Sequence, residues 1–115
     1  MKTPFSSLLE SLIRHRGVTG CMVVGDEDGM IVESNLQIGV DGSAFAALSA
    51  SLYRKARRSA EAAGFGSIAF FELHADGGRV CAAGRNGLVL VVVAEPRVNV
   101  GLVRVELLRA LEAFE

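Results

Sequence analysis

The sequence predicts a single α/β (α+β) domain over residues 1–115, in which an antiparallel sheet carries helices on both faces. Three observations predict it. Apolar residues recur at helical spacing near both ends of the chain, three strand-like runs follow one another across very short turns, and one of those runs is apolar throughout. Parallel neighbours need crossovers of about a dozen residues or more, so short turns force antiparallel pairing. A strand with no polar position is buried on both faces, which puts it mid-sheet with helices on each side.

The elements follow in order. Phe5, Leu8, Leu9, Leu12 and Ile13 form one stripe of an amphipathic helix. Thr3 is its expected cap, Pro4 suits its first turn, and Gly17 ends it, with His15 and Arg16 in the last turn favoured by the helix dipole. Cys21–Val24 reads as a buried strand, Asp26-Glu27-Asp28-Gly29 as a turn, and Met30–Ser34 as the returning strand of a hairpin. Asp41 caps a long second helix reaching Ala63, stopped by Gly64-Phe65-Gly66. Strands over Ser67–Leu73, Arg79–Ala83 and Leu88–Ala94 are joined by turns at Asp76-Gly77-Gly78 and Asn86-Gly87. Asn99 caps a last helix, whose inward stripe is Val100, Val103, Leu107, Ala110, Leu111 and Phe114. The order is α-β-β-α-β-β-β-α.

Several functions are disfavoured by what the chain carries. A formal net charge of −1 offers no electrostatic footprint for a nucleic acid. The longest apolar run, Gly87–Ala94, is far short of the roughly 18 residues of a membrane span. The N-terminus runs straight into a helical pattern rather than a signal-peptide core, so a cytoplasmic location without direct membrane insertion is expected. Cys21 and Cys81 lack CxxC spacing and read as reduced core thiols, and neither a metal site nor a cofactor is expected. Asp26-Glu27-Asp28-Gly29 lacks the remaining ligands of a calcium loop. No GxxxxGK[ST], GxSxG or HExxH occurs. His74 beside Asp76 is the nearest approach to an acid–base pair, and it has no nucleophile close by in sequence.

The second helix is unusual. Helical winding puts Phe45, Leu48, Ser49, Leu52, Ala56 and Ala63 on one face, taken as inward. No charge occurs from Ser43 to Tyr53, and Ala46, Ala47, Ala50 and Ser51 fill the side taken as outward. A helix without a polar face is normally covered all round. The expected cover is the same helix of a second copy in a two-fold homodimer, with Ala50 at the contact. Beyond Tyr53, Arg54, Lys55, Arg57 and Arg58 place four positive charges within five residues. Arg54, Arg57 and Arg58 are expected on the outer side, as a grip for an acidic partner or as a solvated helix end.

The residues themselves resemble a known family. Gly17-Val18-Thr19-Gly20, Cys21-Met22-Val23-Val24 and Asp28-Gly29-Met30-Ile31-Val32-Glu33-Ser34 resemble the opening of Roadblock-type domains, the family of dynein light chains and bacterial polarity regulators. Leu88–Val93 and Asn99-Val100-Gly101-Leu102-Val103-Arg104 resemble its closing strand and helix start. The resemblance implies a five-stranded sheet of order 2-1-5-4-3, Roadblock/profilin-like, with the middle helix on one face and the terminal helices on the other. It implies dimerisation through the middle helix and third strand, which makes Ala46, Ala47, Ala50, Ser51, Tyr53 and Phe70 the expected interface. It further implies a regulator or scaffold of a small Ras-like GTPase, itself no enzyme; bacterial members of the family include GTPase-activating partners that reshape the GTPase's own active site. Arg54, Arg57, Arg58 and Arg85 are the candidate partner-binding residues, and any charge supplied in the manner of an arginine finger would come from Arg85 or the Arg54 to Arg58 cluster. The alternatives are a ligand-sensing domain on a similar sheet, or a scaffold subunit of a motor or kinase complex. With that strand order, Cys21 and Cys81 lie too far apart for a disulfide.

Overall fold

The hydrophobic alternation resolves into one sheet with a helical layer on each side. The computed structural model describes residues 4–114. Its elements are α1 (Ser6–Ile13), β1 (Val18–Gly25), β2 (Ile31–Leu36), α2 (Gly42–Ala62), β3 (Phe71–Ala75), β4 (Gly78–Arg85), β5 (Leu88–Ala94) and α3 (Val100–Leu111). The strands lie in the order β2-β1-β5-β4-β3, and every neighbouring pair is antiparallel. β5, apolar throughout, occupies the centre.

Pleating sends successive side chains to opposite faces. Cys21, Val23, Cys81, Ala83, Leu90 and Val92 join the core beneath α1 and α3, where the predicted α3 stripe from Val100 to Phe114 also packs. Met22, Val24, Val80, Ala82, Val89, Val91 and Val93 meet α2 on the other face. The turns take the predicted form: Asn86 and Gly87 adopt φ of 55° and 79° in the β4–β5 hairpin. Asp41 and Asn99 cap α2 and α3, accepting from the amides of Ala44 and Leu102.

Several boundaries differ from expectation, while the acidic turn is as predicted. Phe5 occupies the N-cap of α1, and the Thr3 cap lies outside the described residues. His15 and Arg16 fall past the end of α1, because the chain turns into β1 through a Val18 N–H to His15 carbonyl bond and Gly17 at φ 90°. Asp28 Oδ1 accepts from the Met30 amide, so the acidic tetrapeptide is a turn closed on itself. β3 begins at Phe71 rather than Ser67, since the tight turn at Asp76-Gly77 fixes its pairing of Ala75 with Gly78 and Phe71 with Ala82.

Cys21 and Cys81 are both free and buried. Each pairs with Val92 from opposite sides, which separates them by two strand spacings of about 4.8 Å. That exceeds the roughly 7 Å reach of a disulfide between Cα atoms. Burial pushes the Cys21 thiol up to about 12 and the Cys81 thiol up to about 11, the latter helped by Glu72 and opposed by Arg79. The thiols of the unfolded chain ionise near 9.0, so the folded state loses stability as pH rises from 9 towards 12. Iodoacetamide is therefore expected to spare both cysteines in the native protein at about pH 8 and to label both in urea. Urea midpoints should fall above pH 9 more steeply than in a Cys21→Ala/Cys81→Ala protein; parallel profiles would refute the assignment.

Candidate functional site: the outer face of the second helix

Helix α2 crosses the sheet with its small residues downward. Ala46, Ser49, Ala50 and Tyr53 are buried against the Val- and Met-rich strand surface. This corrects the predicted facing in part: Ser49 and Phe45 face the sheet as expected, but Ala46, Ala50 and Tyr53 are not on the outer side, and Leu48 is not inside. The physical reason is volume. Ala46, Ser49 and Ala50 let the helix backbone come close to the layer of Met22, Val24, Val89 and Val91, while Tyr53 and Phe45 fill the space towards the two ends of the contact. The approach is close enough that a Cβ on Gly29 would stand 3.5 Å from the Ala50 methyl, and one on Gly84 would stand 2.5 Å from the Tyr53 hydroxyl. Burial raises the Tyr53 phenol above its ordinary value, opposed by Arg57 and by the Gly84 backbone hydrogen bond.

The outer face therefore runs through Ala44, Ala47, Leu48, Ser51 and Leu52 to Lys55 and Arg58. Leu48 is 40% exposed in a stretch without charge, and Ala47 is exposed beside it. Of the predicted interface residues, Ala47 and Ser51 remain on this side. Flanking it, Phe45 and Leu48 border a cleft of about 480 Å³ whose other walls include Leu73, Val80, Val93 and Pro96. Arg79 stands at the cleft, its Nε donating to the Pro96 carbonyl at 3.1 Å and its Nη1 to Glu72 Oε2 at 2.9 Å.

Phe70 does not belong to this surface. It precedes β3 and turns to the α3 side, where the Arg104 guanidinium stands 5.7 Å from its ring centre. The basic cluster also divides. Arg54 Nη1 donates to the carbonyls of Asp26 at 2.6 Å and Glu27 at 3.0 Å, tying α2 to the β1–β2 turn. Arg57 Nη2 lies 3.9 Å from Asp26 Oδ2 and 3.8 Å from Glu27 Oε1. Arg54 is thus tied to the turn by hydrogen bonds and Arg57 lies against its carboxylates, so neither is an outward grip; Arg58 and Lys55 are exposed. Arg85 is exposed at the end of β4 rather than in the turn itself, and the Asp26 amide joins the adjacent β4–β5 turn to the β1–β2 turn by donating to the Gly87 carbonyl at 3.0 Å. The fold brings the basic end of α2 and Arg85 to the same end of the sheet.

The outward leucines were missed because large apolar side chains were assigned inward. The signal that could have found them is the uncharged run itself: when both faces of a helix lack charge, side-chain volume decides which one meets the sheet.

Comparison with known proteins extends the fold to relatives. The model of the Roadblock/LC7 domain matches residues 5–94. Two uncharacterised proteins of Methanocaldococcus jannaschii are each 30% identical over 108 residues, covering 94% of this chain and 94% of their own. Among solved structures, the Roadblock/LC7 domain from Streptomyces avermitilis aligns with a TM-score of 0.83 at 17% identity, over 93% of this chain and 91% of that one. Myxococcus xanthus MglB aligns with a TM-score of 0.80 at 19% identity, over 96% and 94% of the two chains.

Proposed function

The chain belongs to the Roadblock/LC7 domain family, and on that premise we propose that it works as a homodimeric platform that docks a small Ras-like GTPase and adjusts its switch regions. It supplies no reactive group of its own in this reading. The observation that carries it is the outer face of α2, uncharged over its first half and exposing Leu48. Such a face calls for cover, and an isologous two-fold contact is the commonest way to supply it. Past the apolar half, Lys55 and Arg58 point outward and are doubled by the two-fold, forming a positive margin for an acidic docking surface. Arg85 is the exposed candidate for a charge delivered towards a nucleotide, by analogy with an arginine finger.

The test is binding of the purified chain to the small GTPases of its host, loaded with GDP or with a GTP analogue. A complex holding two copies of the chain and preferring one nucleotide state is the expected result. Lys55→Glu with Arg58→Glu should weaken it about tenfold at low salt and less at high salt, since screening already removes the attraction. Failure of the dimeric protein to bind any of them in either state would overturn the reading.

A second reading, ligand sensing, is favoured by the apolar cleft of about 480 Å³ beside Arg79, a volume within the usual range of roughly 300–1,000 Å³ for small-molecule sites. A small molecule retained in native mass spectra and lost on Val80→Trp would support it.

A further inference from the structure

The sheet has two outer edges, and β2 forms the one remote from β3. Among the described residues, β2 pairs only with β1. The Gln37 amide donates to the Thr19 carbonyl at 3.0 Å, and the register continues with Asn35 opposite Cys21 and Glu33 opposite Val23. Antiparallel alternation therefore directs the backbone groups of Ser34 and Leu36 away from β1, where no other described strand meets them.

Edges of this kind are commonly guarded by lysine, proline or a bulge; β2 carries neither lysine nor proline, and its register shift lies at Val32, short of Ser34 and Leu36. Its surroundings are instead apolar and acidic. Val32 is 46% exposed, Ile31 and Met30 are exposed beside it, and Ile38 is fully exposed just past the strand. From Asp26 to Asp41 the chain holds five acidic residues and no Lys, Arg or His. Asp26 and Glu27 face Arg57, while Asp28, Glu33 and Asp41 have no cationic partner among the described residues.

We infer that the outer edge of β2 is a second docking surface, at which an extended segment of a partner protein adds as a further strand, its apolar residues alternating with Lys or Arg. Main-chain bonds to Ser34 and Leu36 supply the pairing, Val32 and Ile38 receive apolar side chains, and the acidic margin selects the basic ones. A second copy is the wrong occupant, because edge-to-edge pairing would bring the same acids together, and like charges directly opposite are destabilising. This surface is separate from the α2 platform, and no GTPase enters its test.

A display library of random ten-residue segments, selected on the full-length chain, tests the inference. The expected binders alternate apolar and basic residues, shift the amide resonances of Ser34 and Leu36, and lose about tenfold in affinity from low to high salt. Ser34→Pro should abolish their binding while leaving the melting temperature intact, because the removed amide points outward and proline is tolerated on edge strands. Glu33→Lys provides a second variant, with the pairing atoms intact and the selecting charge reversed; it should weaken binding about tenfold. No enriched family, binders indifferent to both variants, acidic binders, or assembly of the chain with itself through this edge would each overturn the inference.

Discussion

Replacing Ala50 with arginine is expected to unfold the protein, not merely to separate two copies. Ala50 is only 2% exposed and packs from α2 onto the strand face formed by Met22, Val24, Val89 and Val91. Overpacking alone costs about 1–3 kcal/mol. An unpaired guanidinium forced into that layer adds a desolvation penalty of about 3 kcal/mol or more. Together these approach the total stability of a small domain, about 5–15 kcal/mol. The melting temperature should fall by about 15–30 °C, or the native circular dichroism should be lost at room temperature. Ala62→Arg is the control, since Ala62 is exposed in the last turn of α2, past the uncharged half of the helix, and alanine and arginine have similar helix propensity. An Ala50→Arg protein that melts with the wild type would mean that α2 is rotated from the orientation described.

The second large effect belongs to Leu48. Leu48→Glu should leave the fold intact and convert a dimer to a monomer. The side chain is 40% exposed and lies in the uncharged half of the outer face, so a carboxylate there stays solvated in the monomer. Burying a leucine contributes about 1.5–3 kcal/mol, and the two-fold removes that contribution from both subunits at once. A loss of about 3–6 kcal/mol weakens association by at least about a hundredfold. Light scattering should give twice the monomer mass for wild type at tens of micromolar and the monomer mass for Leu48→Glu. The wild-type melting temperature should rise with concentration and that of the variant should not. A monomeric wild type, or a variant that associates as tightly, would remove the α2 surface as a dimer interface.

Much of the architecture was legible in the amino acids because it is written in local terms. Asn86-Gly87 needs two residues of positive φ and adopts them; Asp41 and Asn99 need only a side-chain oxygen three residues from an amide. The apolar run Leu88–Ala94 could be satisfied only at the centre of the sheet, and it lies there. The α3 stripe was legible for the same reason, since Val103, Leu107, Ala110, Leu111 and Phe114 recur at helical spacing and pack against the sheet.

The candidate surface was less legible, because choosing between two uncharged faces of α2 is not a local matter. Periodicity identifies a helix and its stripes, but it cannot weigh Leu48 against Ala50 without the layer beneath, which distant strands build. The same holds for Phe70, which lies on the α3 side just before β3 begins, and for Arg54, held by carbonyls of a turn far away in sequence. The order of elements, their caps and the central strand were thus determined by the sequence itself, through backbone preferences and hydrophobic period. Which face of α2 stays open, which arginines remain exposed and which sheet edge is left unpaired were decided only by the tertiary structure, because close packing lets distant residues claim the same space first.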